Sequence, residues 1–284
     1  MSLSFTAAAG GGSVLGLSVF AWLGIATALA LLAYLLAAAL SAERASAVRA
    51  SLFIGWLAHA AAIVIDITGL GATASGPRFG FAPALSVTLW LVLAVYLIES
   101  RFLPLDRSRR ALALLGGAAV ALAWLFPGEV HAATVSRWAP LHWVLGIASY
   151  GLFGTAVLHA SLLNRADRQM RSKQQVGGGA PLGLPLLRLE RLTFRFVEAG
   201  FVTLTAAVAL GWWFASPWRW DHKAIFSVLG WAVFAGLLVG RRSFGWRGPS
   251  ATRWLYIGAV LLLLAYVGSR FVIEVLLQRP ALPA

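Results

Sequence analysis

The sequence predicts an all-α fold, a polytopic membrane helix bundle with about eight transmembrane helices. The mean hydropathy of the 284 residues is +0.81, and only 12% of them are charged, compared with about 25% in a soluble domain. The apolar runs are about 16–25 residues long, which is the length at which a helix crosses the hydrocarbon core of a bilayer. We therefore interpret residues 1–284 as a single integral-membrane domain.

Apolar runs separated by polar, glycine-rich or proline-rich segments give the approximate helix boundaries. The first run has no basic residues before it, so we interpret it as a retained helix and not as a cleaved signal peptide. The third predicted span is the shortest. The predicted spans are 15–40, 50–70, 84–99, 110–126, 138–163, 193–214, 224–240 and 253–277.

The basic residues are distributed unequally among the predicted loops. Loops 41–49, 100–110, 164–192 and 241–253 contain 16 of the 23 lysines and arginines, whereas the alternate loops contain five. Basic loops remain in the cytoplasm under the positive-inside rule, so we expect both termini to be extracytoplasmic. The longest loop, 164–192, is then a basic cytoplasmic segment. The net charge of +13 accordingly reflects membrane topology, and we expect no nucleic-acid partner.

The absence of cysteine limits the chemistry that the chain can perform. With no cysteine, it can form no disulfide, offer no thiolate nucleophile, ligate no iron–sulfur cluster and form no thioether bond to haem. No serine lies in the context of a nucleophile elbow. The sequence thus contains no catalytic constellation, and we expect a protein that is not an enzyme.

The connection between the sixth and seventh predicted helices is unusually rich in tryptophan. It reads Gly-Trp-Trp-Phe-Ala-Ser-Pro-Trp-Arg-Trp-Asp-His-Lys over residues 211–223. An interfacial aromatic belt is one explanation, but a belt spreads its aromatics over many helix ends. Here they cluster beside an imidazole, a carboxylate and an ammonium group. This combination suits a planar, amphipathic ligand with acid groups, a description that fits haem.

Five histidines are candidates for binding or structural roles: His59, His131, His142, His159 and His222. His59 lies near mid-membrane and His142 in the outer leaflet, at depths that differ by roughly 10 Å. Two such imidazoles could reach one iron from facing helices, although His59 could equally be an interhelical hydrogen-bonding residue. We expect His159 to be interhelical or interfacial and His131 to be solvated. The ligand spacing of a zinc site is absent.

Three segments resemble the cytochrome c assembly family, which includes the CcsA, CcmC and HemX types. Residues 141–150, with His142, Ser149 and Tyr150, resemble the His-then-Ser-Tyr signature of that family's core. Residues 218–223, followed by Trp231, resemble its tryptophan-rich loop. Gly76-Pro-Arg-Phe79 resembles a glycine–aromatic turn after the second helix. The resemblance covers roughly residues 50–275 and is greatest to the small eight-helix inner-membrane branch of the YpjD type.

The resemblance implies a multi-pass protein of the bacterial cytoplasmic (inner) membrane that binds haem, as haem b, non-covalently near the outer face. His142 would supply one axial nitrogen, and His59 or His222 the other. Within this site we expect stacking by Trp213, Trp218 and Trp220, propionate pairing by Arg219 and Lys223, and orientation of a basic group by Asp221. Other haem-handling or cytochrome maturation proteins are the implied partners.

Two departures separate the chain from the CcsA pattern, and two other functions remain open. Val239 stands where CcsA-type chains carry a histidine, and no histidine follows His222, so cytochrome c synthetase activity is not implied. A small-molecule or ion transporter would use Asp66, Glu198 or Arg270, which could also form structural ion pairs with one another. A regulatory scaffold would act on a haem-pathway enzyme through loop 164–192.

Overall fold

The computed structural model describes residues 13–14, 17–68, 78–102, 105–130, 137–171, 186–214 and 220–277. In this part of the chain, eight helices are long and apolar enough to cross a membrane, which confirms the predicted polytopic all-α bundle. They are α1 (Val19–Ala39), α2 (Ala45–Thr68), α3 (Phe81–Glu99), α4 (Asp106–Leu125), α5 (Ala139–Arg171), α6 (Leu186–Phe214), α7 (His222–Phe244) and α8 (Gly248–Leu276).

Helices α5 and α6 extend beyond the predicted membrane spans. The predicted spans 138–163 and 193–214 become Ala139–Arg171 and Leu186–Phe214, so much of the predicted loop 164–192 is helical. The physical reason is that hydropathy marks only the apolar part of a helix, whereas arginine, leucine and glutamine continue a helix well into the polar region. Residues 172–185 of that loop lie outside the described part of the chain.

Helix α8 departs from regular α-helical geometry near its end. It is α-helical over Gly248–Leu263, then contains two π-helical turns, Leu264–Gly268 and Val272–Leu276, separated by Ser269–Phe271. The backbone N–H of Leu277 donates to the carbonyl of Val272 at 2.9 Å, the i→i+5 bond that defines such a turn. Arg270 and Glu274 lie within this irregular part.

A two-residue antiparallel ladder lies near the ends of α2 and α8. Strand β3 (Arg78–Phe79) pairs with β4 (Glu129–Val130), with Arg78 opposite Val130. A second antiparallel pair of two-residue strands, β1 (Ser13–Val14) and β2 (Leu17–Ser18), comes before α1 in the chain. Gly128 has φ of 78°, and a Cβ there would lie 2.8 Å from the Phe79 backbone. Only glycine therefore fits this close approach of the two chain segments.

The buried side chains form two clusters. The first is built mainly from α1–α4 around Tyr34 and Leu93, and the second from α5–α8 around Phe234 and Leu255. Helix α5 contributes to both, so it joins the two halves of the bundle. In the second cluster, the rings of Phe153 and Phe234 stack with their centroids 3.8 Å apart.

A reciprocal tryptophan pair fixes α2 against α3. The rings of Trp56 and Trp90 stack at 4.9 Å with an interplanar angle of 6°. The indole N–H of each donates to the backbone carbonyl of the other, at 3.2 and 3.1 Å. Both partly buried indole donors are thus satisfied, as their position in the membrane requires. This contact fixes the spacing of α2 and α3 about one turn from the place where His59 meets Ser86.

Candidate functional site

His142 lies in the first turns of α5 and packs against α6. Its Nδ1 is 2.9 Å from the backbone carbonyl oxygen of Ala207. Because a carbonyl only accepts, Nδ1–H is the donor, and the lone pair of the neutral ring is on Nε2. In metal sites, the imidazole nitrogen that does not bind the metal usually donates to a carboxylate, a backbone carbonyl or water, and the contact of His142 with Ala207 has this form.

Gly211 makes the close approach of His142 possible. A Cβ at this position would lie 3.0 Å from His142 Cε1 and 3.3 Å from Nδ1, which is closer than ordinary van der Waals contact. Gly211 is the residue that opens the tryptophan-rich segment, so sequence reasoning noted its position without recognising its contact. The absence of a side chain here leaves the imidazole ring seated against the α6 backbone.

The tryptophans of the candidate site are strongly exposed where the structure describes them. Trp213 at the end of α6 is 81% exposed, and Trp220 just before α7 is 62% exposed. Trp218 and Arg219 lie outside the described residues. Trp143, next to His142, contacts the ring of Phe79 in β3 with centroids 4.9 Å apart. The ladder and the start of α5 are thereby held together at this end of the bundle.

Asp221 is the N-cap of α7. Its Oδ1 accepts a hydrogen bond from the backbone N–H of Ala224 at 2.8 Å, and its backbone is extended. Aspartate is among the best N-cap residues, because its carboxylate satisfies an otherwise unpaired N–H and interacts favourably with the helix dipole. Sequence reasoning missed this role, although an aspartate directly before an apolar run is a helix-start signal. His222 follows as the first helical residue and is exposed.

Lys223 joins a group of charged side chains at the same end of the molecule. It is half-buried and lies within electrostatic range of Arg270, Asp221 and Glu274. Arg270 Nη1 is 3.7 Å from Glu129 of β4 and 4.0 Å from Glu274. Glu274 also accepts a hydrogen bond from the backbone N–H of Phe81 at 3.5 Å. The charged group therefore ties α8 to the ladder, to the start of α3 and to the start of α7.

His59 lies inside the first half of the bundle and is 1% exposed. Its Nδ1 shares a hydrogen bond with the Tyr34 hydroxyl at 3.1 Å, and its Nε2 shares one with the Ser86 hydroxyl at 2.8 Å. Both ring nitrogens are therefore engaged by neighbouring helices, and binding to a metal would require breaking one of these bonds. His59 borders a cavity of only about 90 Å³, whereas pockets for drug-sized ligands measure roughly 300–1,000 Å³.

The intramembrane charges named as transporter candidates form ion pairs, but not with one another as the sequence suggested. Asp66 pairs with Arg78 at 3.7 Å, and Glu198 pairs with Arg242 at 3.5 Å. Arg270 pairs with Glu129 and Glu274, as described above. The expectation was wrong because each partner lies on another helix or strand, or one turn further along α8, and folding decides which side chains meet.

Two further predicted residues have interhelical contacts. His159 is fully buried on α5, and its Nε2 lies 2.7 Å from a carboxylate oxygen of Glu99 on α3, which confirms its prediction as an interhelical hydrogen-bonding residue. The hydroxyl of Tyr150 donates to the backbone carbonyl of Leu262 on α8. Tyr150 thus connects α5 to α8 about two helical turns after His142.

Sequence reasoning also missed Tyr34, Ser86, Glu129 and Glu274. The spacing of Arg270 and Glu274, four residues apart in an apolar helix, was a signal that could have predicted their pairing. Tyr34 and Ser86 gave no comparable signal, because isolated hydroxyl side chains are common in membrane helices. In the part of the chain that the structure describes, no group of three or more metal-binding side chains occurs.

Comparison with known proteins places the chain in a family. The model of the cytochrome c assembly protein family matches residues 22–277. An uncharacterized 28.8 kDa protein of Azospirillum brasilense is 30% identical over 234 residues, which cover 76% of this chain and 85% of that protein. No solved structure matches the chain.

Two named relatives extend the comparison. Inner membrane protein YpjD of Escherichia coli is 33% identical over 135 residues, which cover 46% of this chain and 51% of YpjD. Cytochrome c biogenesis protein CcsA of Prochlorococcus marinus is 26% identical over 216 residues, or 64% of this chain and 68% of that protein. Together with the eight apolar helices, the similarity to YpjD identifies a multi-pass protein of the bacterial inner membrane. Because the family model spans most of the sequence, the chain belongs to the cytochrome c assembly protein family.

Proposed function

We propose that this protein binds haem b non-covalently at the end of the bundle that carries His142 and serves the maturation of cytochromes c. Membership of the family supports a role in cytochrome c assembly, and relatives named cytochrome c biogenesis proteins are consistent with haem as the cargo. The residues at this end of the bundle fit such a ligand in type. They provide imidazoles, exposed indoles and cations.

The observation that carries the proposal is the setting of His142. The Ala207 carbonyl binds Nδ1 at 2.9 Å, and the missing side chain of Gly211 lets the ring lie against α6. An imidazole held at one nitrogen by a backbone carbonyl is oriented and made more basic at the other. With Nδ1 held by the carbonyl, Nε2 is the nitrogen through which His142 would hold the haem iron.

The second residue that would hold the iron in this proposal is His222. It is exposed at the first turn of α7, so it can turn toward a ligand without breaking a described hydrogen bond inside the bundle. His59 would have to release Tyr34 or Ser86 first. The cavity beside His59 would also have to open several-fold to admit a macrocycle.

The remaining residues would hold the macrocycle and its acid groups. Trp218 and Trp220 are the proposed stacking residues, because indoles offer large apolar area with a defined geometry. Trp213 adds to them if the ligand reaches the end of α6. Lys223 and Arg219 would pair with the propionates, and Asp221 orients Lys223 while it caps α7. Bound haem would supply the prosthetic group that a maturing cytochrome requires.

The proposed site faces the outer side of the membrane, as the distribution of basic residues predicts. Alkaline phosphatase is active only outside the cytoplasm. A fusion after Ala284 is expected to be active, and a fusion after Gln174 inactive. The reverse pattern would place the tryptophan-rich segment in the cytoplasm and contradict an outward-facing haem site.

Haem binding is tested on the purified, detergent-solubilised protein. We expect a Soret band and a positive pyridine haemochrome assay, with the spectrum of bis-histidine iron. His222→Ala is expected to convert the bound iron to high spin, whereas His159→Gln, which alters a histidine outside the proposed site, keeps the wild-type haem-to-protein ratio. Absence of haem from the folded wild-type protein, after growth with added haem precursor, would refute the proposal.

A further inference from the structure

One face of α6 is exposed along the whole helix and changes from basic to apolar along its length. Positions that repeat every three or four residues lie on the same side of a helix, and here each of them is exposed. The first part of this face is basic and the rest is apolar. The face consists of Arg188, Arg191, Arg195, Ala199, Val202, Ala206, Ala209 and Trp213.

The length of the apolar part matches the hydrocarbon core of a bilayer. Arg195 and Trp213 are 18 residues apart, which corresponds to about 27 Å along a helix, and the hydrocarbon core is about 30 Å thick. Tryptophan at one end and arginine at the other are typical of the two membrane interfaces. Arg188 and Arg191 consequently lie at the depth of the lipid headgroups, in the leaflet opposite Trp213.

The carboxylates of α6 do not neutralise these three arginines. Glu190 pairs with Arg241 of α7 at 2.8 Å, and Glu198 pairs with Arg242 of α7 at 3.5 Å. Within the described residues, Arg188, Arg191 and Arg195 form no ion pair. The three arginines on this exposed face therefore have no anionic partner among the described residues, and an external ligand would have to supply one.

The shape of the surface suits a phosphate group with an attached acyl chain. An open groove of about 420 Å³ is lined by the three arginines together with Leu187 and Leu192. A guanidinium group binds phosphate oxygens through two parallel hydrogen bonds. Beyond the groove, Ala199 is small and Val202 is 68% exposed, so the same face continues as an apolar track.

We propose that this face of α6 is a binding site for an anionic phospholipid, whose phosphate groups lie on Arg188, Arg191 and Arg195 and whose acyl chains follow Ala199 and Val202. The arginines extend over about 10 Å along the helix axis. A span of this length suits a lipid with two phosphodiesters, diphosphatidylglycerol, better than a lipid with one. The site is independent of haem and lies at the opposite end of α6 from His142.

The test is native mass spectrometry of the full-length protein in detergent, titrated with diphosphatidylglycerol, phosphatidylglycerol or phosphatidylcholine. The variant is the triple change Arg188→Gln, Arg191→Gln and Arg195→Gln. The matched control is Arg44→Gln, Arg49→Gln and Arg253→Gln, which removes the same charge from exposed arginines at the same end of the bundle. Thermal unfolding verifies that both variants fold.

The proposal predicts that affinity depends on the lipid headgroup and on the three arginines of α6 in particular. The wild-type protein and the control should bind diphosphatidylglycerol most tightly, then phosphatidylglycerol, then phosphatidylcholine. The α6 variant should bind diphosphatidylglycerol on the order of 100-fold more weakly, because each cation near a membrane surface contributes about a fivefold factor. Equal weakening in the control variant, unchanged binding in the α6 variant, or equal affinity for phosphatidylcholine would each overturn the proposal.

Discussion

The regions around His59 and His142 place the same side chain in opposite situations. His59 lies between three helices of the first half of the bundle, and hydroxyl groups from α1 and α3 engage both of its nitrogens. His142 lies against α6 in the second half, where the backbone carbonyl of Ala207 engages Nδ1 and Gly211 leaves room for the ring. Side-chain hydroxyls thus bind both nitrogens of His59, whereas a backbone carbonyl binds Nδ1 of His142.

The difference teaches how neighbours assign a role to an intramembrane histidine. When side chains of two other helices bind both nitrogens, the imidazole holds helices together and has to lose a bond before it can bind anything else. When a backbone carbonyl binds one nitrogen, that contact orients the ring without linking the side chains of two other helices. We therefore expect substitutions at His59 to act on stability and substitutions at His142 to act on ligand binding.

The largest expected effect is the loss of stability in His59→Ala. The change removes a buried ring, leaves a cavity and deprives the Tyr34 and Ser86 hydroxyls of their partner. We expect the free energy of unfolding to fall by about 2–4 kcal/mol, mainly from the cavity, because hydrogen bonds between membrane helices contribute little each. Denaturant unfolding in detergent measures it, with Ser86→Ala as a milder control. Unchanged stability together with loss of haem would make His59 an iron ligand.

His142→Ala should reverse that pattern. The ring is only partly buried, so we expect the unfolding free energy to change by about 1 kcal/mol or less. Haem occupancy at limiting haem should fall at least tenfold, because an axial bond is lost, and the remaining haem should respond to added imidazole. Haem-to-protein ratio and membrane abundance are measured together. A wild-type spectrum would exclude His142 from the site.

Gly211→Ala tests whether the close packing of His142 on the α6 backbone affects haem binding, separately from the presence of the ring itself. The new Cβ would lie 3.0 Å from His142 Cε1, so the ring has to move by a few tenths of an ångström. We expect a several-fold loss of haem occupancy with little loss of abundance. Gly236→Ala is the matched control, since a Cβ there meets no atom within 4 Å. If both variants lose haem equally, a general effect of alanine in a helix explains the result.

Two substitutions of Asp221 distinguish its role as a helix cap from the role of its charge. Asp221→Asn keeps an N-cap side chain, whereas Asp221→Ala removes it and should destabilise the start of α7 by about 1 kcal/mol. If the carboxylate also positions Lys223, both variants should lower haem occupancy about two- to threefold, and only the alanine variant should unfold more easily. Thermal unfolding and haem titration distinguish the two roles. Haem loss in the alanine variant alone would leave capping as the whole contribution.

The sequence predicts the helices far better than the contacts between them. Apolar length determined each of the eight spans, because the bilayer imposes one geometry on every crossing segment. The partners of His59 come from positions 25 and 27 residues away, and no local pattern relates them. The same holds for Arg78 with Asp66, which depends on where β3 packs against α2, and for Arg241 with Glu190, which depends on how α6 and α7 are rotated.

Parts of the candidate site could have been predicted and others could not. The capping role of Asp221 and the pairing of Arg270 with Glu274 follow from local spacing. The contact between Gly211 and His142 does not, because it depends on how closely α5 approaches α6. Trp213 continues the lipid-facing side of α6, so its exposure fits a membrane anchor as well as a ligand contact, and a Trp213→Ala variant measured for both abundance and haem separates these.

The π-helical turns of α8 let the charged group at its end keep its place when the chain length changes by one residue. Each such turn accommodates one residue more than an α-helical turn. Because the wide turn absorbs this residue locally, deleting one residue from Leu264–Gly268 should restore a regular turn and leave the orientation of the segment beyond it nearly unchanged. Arg270 and Glu274 would then still lie near Glu129 and the Phe81 backbone. Related chains that lack the extra residue should therefore still carry the acidic partner in β4.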